Sequence, residues 1–375
     1  MPKPIYFAVG PEYLKRDGLA ETIVPWEDGQ RAPTAPGHFE WWYFDAHFSD
    51  GSTAVIVFAT KPIVNSGARL TPNLSLTITR PDGTKTAQFA LPPAGEFSAS
   101  REMCDVRIGT SWVKQSERGG RWTYHLYAET TDLSADLIFT GAVPPWRPGA
   151  GKGYYGDLEH YFAWLPSIPY GVVEGTLTYD GQVHSVRGTG YHDHNWGNVA
   201  LPAIMDHWYW GRAHLGDYSL IFVEQIALKK YGSRRLPVFL LAKDDRILAD
   251  DARFLTMQAR NFVRHEGGRE YPREVDFVWE KGEERIHLAL REPKLIEAVS
   301  LLLILPPAKR VLARLFANPY YFRFNAELEL SIHLEGLQAV ERGPALYEIM
   351  MLRKVRRVAW RLYRMIRAAV QLPPD

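Results

Sequence analysis

The residues whose types could do chemistry crowd into one stretch, Arg187–Gln225, which reads RGTGYHDHNWGNVALPAIMDHWYWGRAHLGDYSLIFVEQ. In an extended chain successive side chains point to opposite faces. His192, His194 and Trp196 then share one face, with Tyr191, Asp193 and Asn195 on the other. Further on, Trp208, Trp210, Arg212 and His214 share a face, as do Tyr218, Leu220, Phe222, Glu224 and Ile226. If the three segments are neighbouring strands with these faces inward, one interior holds imidazoles, indoles, a guanidinium and a carboxylate. An earlier cluster, GHFEWWYFDAHF (37–48), places Glu40, Trp42 and Phe44 on one face. A carboxyl buried beside indoles keeps its proton more readily, which is what a general acid needs.

Other chemistries fit less well. His192-x-His194 has the spacing of a metal pair, and His207 or His214 would extend it, but no acid or cysteine stands at a firm ligand spacing. Hydrogen-bonded structural histidines are the expectation, and no metal is assigned. Glu224, in an apolar strand, needs a partner or a function; pairing with Arg212 is the structural alternative. Cys104 is flanked by Glu102 and Asp105, which disfavours a thiolate, and no nucleophile elbow is visible.

The elements that must position these groups are strands. From about 38 to 290, short runs rich in β-branched and aromatic residues alternate with Gly, Pro, Asp and Asn. Examples are 40–48, 53–60, 73–80, 122–129, 135–141, 171–179, 207–214 and 218–228. Turn signals fall at Ser49-Asp50-Gly51, Pro81-Asp82-Gly83, Asp180-Gly181 and Leu215-Gly216-Asp217, as hairpins require. The expected class is all-β, with two lipocalin-like antiparallel barrel or sandwich domains. Residues 1–36 are an irregular extension, 37–190 and 191–345 the two domains, with Pro144–Pro169 a loop or linker. A helical insertion is expected over 293–317, and 346–375 reads as a basic amphipathic helical tail.

Composition bounds the rest. In 375 residues, aromatics reach 13%, with 12 Trp, 19 Tyr and 17 Phe, enough to wall an apolar pocket with rings. The net charge is +1. Residues 345–375 carry seven basic and two acidic groups, so the remaining body is acidic and a nucleic-acid groove is excluded on charge. One cysteine permits no intrachain disulfide and fits a cytoplasmic protein. No apolar run is long enough to cross a bilayer. The tail either packs on a sheet with a solvated basic face or, over 346–370, lies peripherally on the anionic inner face of a membrane.

Glu-Trp-Trp-Tyr (40–43), Gly-Tyr-His-Asp-His-Asn-Trp-Gly (190–197) and Trp-x-Trp-Gly-Arg (208–212) together resemble the carotenoid 1,2-hydratase family, also called hydroxyneurosporene synthase. That family sits in a lipocalin-like superfamily with kievitone hydratase and fungal Diels–Alderases. The resemblance spans about 37–345. It implies two lipocalin-like domains and addition of water to an isoprenoid alkene through a tertiary carbocation. The family's His-x-Trp matches His194 and Trp196. Its downstream Tyr-x-Asp matches Phe222-Val223-Glu224, so the acid is Glu and the phenol is absent. Glu224, His194 and Asp193 are the catalytic candidates. Tyr191, His192, Trp196, Trp208, Trp210, Arg212, Phe222, Glu40 and Trp42 are the candidates to line a hydrophobic, isoprenoid-like substrate. The chemistry requires no metal or organic cofactor. A cyclase or pericyclase, and a non-catalytic terpenoid carrier, are the competing functions.

Overall fold

The computed structural model describes residues 1–61, 69–300 and 319–352. It consists of two antiparallel sheets, as the strand and hairpin signals require. The first has eleven strands in one path: Lys85–Ala90, Asn73–Thr79, Thr53–Ala59, Phe39–Phe48, Gln182–Gly197, Tyr161–Tyr179, Ser134–Gly141, Arg121–Glu129, Ser111–Arg118, Asp105–Ile108 and Phe97–Ala99. Ile5–Phe7 and Lys152–Tyr155 join it at Tyr161–Tyr179. The second runs Arg246–Ala249, Arg235–Lys243, Tyr218–Ala227, Met205–Leu215, Leu337–Met351, Tyr320–Leu334, Glu284–Ser300, Glu270–Lys281 and Leu255–Arg264. By contacts the chain divides into two compact units. One is Met1–Leu201 with Asp217–Ser219 and Leu241–Ala249; the other holds the remainder.

The first sheet closes over a core of alternate residues, Trp42, Phe44, Ile56, Leu76, Tyr124, Leu137 and Phe139 among them, all with almost no exposure. Each is the inward member of an in/out alternation, the period that a half-buried antiparallel strand demands. The expected hairpins form: Asp180 and Gly181, at φ 54° and 70°, make the tight turn between Tyr161–Tyr179 and Gln182–Gly197.

Four expectations change. The break at 190/191 falls inside Gln182–Gly197, because that strand pairs with Phe39–Phe48 along its far half: Tyr191 opposes Asp45, His194 opposes Trp42 and Trp196 opposes Glu40. Residues 191–197 therefore belong to the first sheet, whereas 207–214 and 218–226 belong to the second. Pro144–Pro169 is not merely loop, since Lys152–Tyr155 and the start of Tyr161–Tyr179 lie within it. Residues 293–300 are strand and not helix. They pair with Tyr320–Asn325 through two register shifts, and an available ladder overrides a local helical period. Residues 301–317 of that expected helix lie outside the described residues. Residues 346–351 of the expected tail complete the strand Leu337–Met351, opposite Tyr320–Asn325; the tail beyond Leu352 lies outside the described residues.

Gly190 is a position where the central strand packs tightly beside the site. A Cβ there would sit 2.5 Å from Val173 Cγ2 and 2.7 Å from both the Asp45 carbonyl oxygen and the Phe139 ring. Gly190→Ala is expected to cost about 1–3 kcal/mol through overpacking, read as a lower urea midpoint; an unchanged midpoint contradicts this packing.

Candidate active site

The strand Gln182–Gly197 carries functional side chains on both faces. On its inner face, His192 stacks on Phe44 at 3.8 Å between centroids, and His194 lies between Trp42 at 4.7 Å and Trp196 at 4.5 Å. The alternation expected of His192, His194, Trp196, Glu40 and Trp42 is thus the one the sheet adopts. Burial strips these imidazoles of water, so each needs a polar partner. His192 Nδ1 donates to the Tyr43 carbonyl oxygen at 2.9 Å, and its Nε2 meets Asp28 Oδ2 at 3.1 Å. A carbonyl only accepts, so Nδ1 carries the hydrogen of that bond.

His194 makes the parallel arrangement. Its Nε2 meets Glu40 Oε1 at 2.8 Å, and its Nδ1 faces Asp28 Oδ1 at 3.4 Å. Glu40 also accepts the main-chain N–H groups of Arg31, at 2.6 Å, and Ala32, at 3.2 Å. Tyr124 OH donates to Asp28 Oδ2 at 2.6 Å. Burial alone would raise the Asp28 carboxyl. Its charge attraction and hydrogen bond to His192, with help from His194 and Tyr124, hold it below the ordinary range.

The opposite face holds Asp193. Its Oδ2 accepts from Trp164 Nε1 and from Tyr191 OH, each at 2.7 Å, and its Oδ1 accepts from Asn195 Nδ2 at 2.6 Å. All three donors are neutral, and among the described residues no ammonium or guanidinium is in contact with it. Burial therefore wins and pushes the Asp193 carboxyl above its ordinary value, against those hydrogen bonds.

Glu224 differs. It is buried in the second sheet and accepts a hydrogen bond from Arg235 Nε, whose side chain is half exposed. Burial outweighs the opposing pull of Arg235 and pushes its carboxyl above the ordinary value, as it does for Asp193. The partner is not Arg212, and the reason is register. Gly211 lies against the Phe222 ring, so Phe222 and Glu224 face the side of Tyr209 and Gly211. Trp208, Trp210 and Arg212, being even-numbered, face the other side. Burial agrees: Tyr209, Gly211 and Ala213 are buried, and Trp208, Trp210 and Arg212 only partly. The single interior expected to gather all these groups is therefore divided between two sheets, and within the second sheet between two faces.

Residues of the N-terminal extension that were not among the sequence-based candidates lie on the inner face of Gln182–Gly197. Trp26, Glu27 and Arg31 line a recess of about 180 Å³ together with Arg147, Tyr161 and Trp196. The Arg147 guanidinium is committed to Glu27 at 2.7 Å, both side chains being buried. Burial, helped by Glu40 and Asp17, pushes the Tyr161 phenol up to about 12. The signal that was available is the tract PWEDGQR (25–31), where a Trp, two acids and an Arg stand in an otherwise irregular lead-in. As for metals, ligand atoms of Asp28, Cys104 and His192 lie within 4.8 Å of one another. The Cys104 thiol is pushed well up by burial and by nearby carboxylates, so it remains a thiol unless a cation displaces its proton. Among the described residues no helix is long and apolar enough to cross a membrane.

Residues 30–294 match the model of the AttH-like family. The chain is 29% identical over 225 residues to hydroxyneurosporene dehydrogenase of Chlorobaculum tepidum, covering 50% of this chain and 56% of that protein. It is 39% identical over 234 residues to the quinolone epoxide rearrangement protein penF of Penicillium thymicola, covering 54% and 61%. The chain thus spans little more than half the length of these relatives. The crystal structure of CghA with Sch210972 superposes with a TM-score of 0.59 at 14% identity, over 89% of this chain and 96% of that one. That likeness shows a shared fold.

Asp28→Asn removes the counter-charge facing His192 and His194. Breaking one side of a buried pair is expected to cost about 3–5 kcal/mol at neutral pH, measured by urea unfolding. Because folding lowers the Asp28 carboxyl, its contribution is present above a pH of about 4 and is lost as pH falls through the folded value. The variant should therefore lose stability less steeply below that pH than the parent protein. Equal stability of the two at pH 7 would contradict the charged network.

Proposed function

The chain belongs to the AttH-like family, and from that premise we propose that it is a cofactor-independent enzyme of acid–base chemistry on a hydrophobic, isoprenoid-like small molecule. The reaction is addition of water to an alkene, or its reverse. The observation that carries this reading is Asp193: a buried carboxyl pushed upward, held by an indole N–H, a phenol and an amide, with no cation in contact. Glu224, the acid that the motif comparison favours, is the weaker choice, because a guanidinium in direct contact stabilises its ionised form.

Alkene protonation needs a proton on an acid that is poorly solvated when ionised. In the proposed step the Asp193 proton passes to the less substituted alkene carbon as the π bond opens. The tertiary cation left on the other carbon is captured by water, and that water returns a proton to the carboxylate. One water is added and the acid is regenerated. The Trp164 indole, edge-on to Trp146 at 6.1 Å, and the Tyr43–Tyr191 pair at 6.3 Å supply electron-rich rings close to the acid. Each such ring contributes about 0.5–2 kcal/mol toward a cation over its face. His194 does not share this face. It is read as a positioning residue that ties Glu40 and Asp28 to the same strand.

A second reading keeps the same acid. The similarity to penF, named a quinolone epoxide rearrangement protein, favours a substrate in which the proton opens an epoxide. Both reactions ask the protein to hand a proton to a neutral molecule and shelter the cation. They differ in whether water enters.

The test is turnover of a panel of acyclic terpenoids and aryl epoxides in heavy-oxygen water, followed by mass spectrometry. Incorporation of one labelled oxygen identifies hydration, and an unlabelled isomer identifies rearrangement. Asp193→Asn is expected to lower turnover at least about 100-fold, while Glu224→Gln stays within a few-fold. Full activity of Asp193→Asn overturns this assignment. Loss of activity confined to a folded Glu224→Gln protein returns the acid to Glu224.

A further inference from the structure

The recess on the inner face of the first unit contains charges whose pairing is uneven. Its lining includes three cations, Arg31, Arg147 and Lys152, and two carboxylates, Asp17 and Glu27. Glu27 is taken by Arg147, and Asp17 by Lys152 at 3.0 Å. Arg31 is left over. Its Nε donates to the Gly29 carbonyl oxygen at 3.1 Å and its Nη2 to the Arg101 carbonyl oxygen. Among the described residues, no carboxylate lies within ion-pair distance of its guanidinium. Glu40 is near, but it accepts the Arg31 main-chain N–H and is engaged with His194. Burial and Arg101 oppose its charge, which Glu40, Glu102 and Glu27 favour from beyond ion-pair distance, but a partly buried guanidinium whose direct partners are carbonyl oxygens still gains from an anion brought into contact.

The surroundings define what else such a ligand must be. The guanidinium lies over the Trp26 ring at 4.8 Å, and Tyr161, Leu165 and Trp196 form apolar walls beside it. A cavity of about 150 Å³ lined by apolar side chains accepts benzene, so 180 Å³ accommodates a single ring with one substituent. Cationic and aromatic groups side by side suit a flat molecule that carries an oxyanion at its edge. A pure hydrocarbon would leave Arg31 unsatisfied.

We propose that this recess is a binding site for a small planar apolar molecule bearing one oxyanion, a carboxylate or an acidic enolate, which Arg31 holds while Trp26, Tyr161 and Trp196 pack on the ring. The site stands on the opposite face of Gln182–Gly197 from Asp193, and it does not depend on the reaction proposed for that acid. Arg31 recognises charge, and the walls recognise shape. Arg147 and Lys152 are spent on their own carboxylates, so Arg31 alone sets the preference for an anion.

The test compares two probes of nearly equal shape, 4-fluorobenzoate and 4-fluorobenzamide, titrated into the full chain and followed by fluorine NMR. The carboxylate is expected to bind about 10-fold more tightly than the amide, the gain of a charge-assisted hydrogen bond. Added salt should weaken the carboxylate and leave the amide unchanged. Arg31→Gln should bring the two affinities together without altering that of the amide, and Arg31→Lys should restore part of the difference. The probe comparison on the unaltered chain needs no variant to fold. Equal binding of the two probes, a preference that survives Arg31→Gln, or no binding of either probe overturns the proposal. Because binding is read without turnover, failure here leaves the assignment of Asp193 untouched, and an inactive Asp193→Asn protein leaves this site untouched.

Discussion

Asp28, Glu40, His192 and His194 have no measurable exposure to water beyond 1%, and the first unit depends on their mutual pairing. An isolated charge in such a place is prohibitively costly. Two carboxylates facing two imidazoles, with a phenol donating to Asp28 and two main-chain N–H groups donating to Glu40, make it tolerable, although Asp28 Oδ1 and His194 Nδ1 face each other at 3.4 Å without a hydrogen bond. The arrangement also has a topological effect. Asp28 lies 164 positions from His192, and Glu40, on the neighbouring strand, takes the main-chain N–H groups of Arg31 and Ala32, so these contacts clamp the irregular N-terminal extension to the central strand. The walls that the extension contributes, Trp26, Glu27 and Arg31, are held in place by that clamp.

From this follows a division of labour between the two faces of one strand. Inward, acids meet imidazoles and the carboxyl of Asp28 is drawn down. Outward, Asp193 meets only neutral donors and its carboxyl is pushed up. The two carboxyls differ in neighbours and not in burial. Asp193 and Glu224 are both pushed up and differ in what they touch. Both are desolvated, but only Glu224 touches a guanidinium, and a proton on an acid is easier to keep when no cation competes for the site.

Membership of the AttH-like family is compatible with more than one substrate, since the relatives carry names as different as hydroxyneurosporene dehydrogenase and quinolone epoxide rearrangement protein. What unites the proposed chemistries is protonation of a neutral molecule in an aromatic enclosure. A fold of this kind hosts unrelated activities, so the substrate has to be argued from side chains. Here those are the indoles and phenols near Asp193 and the unequally paired cations of the recess.

The sequence by itself determined the all-β class, the hairpins at Gly51, Gly83, Gly181 and Gly216, and the sharing of a face by His192, His194 and Trp196 with Glu40, Trp42 and Phe44. These are local properties: a period of two and a turn residue are written in consecutive positions. It did not determine that 191–197 pairs with 39–48 rather than with 207–214, since both are aromatic strands and pairing is a long-range choice. Nor did it reveal Asp28 as the partner of His192, which is 164 positions away, or Arg235 in place of Arg212 beside Glu224. A hairpin's register decides which face meets which, and a shift by one residue exchanges every partner. Of the helix expected over 293–317, the described part, 293–300, is strand for a related reason, because it found a ladder in Tyr320–Asn325. Periodicity names the face of a strand, and only the assembled sheet names what that face touches.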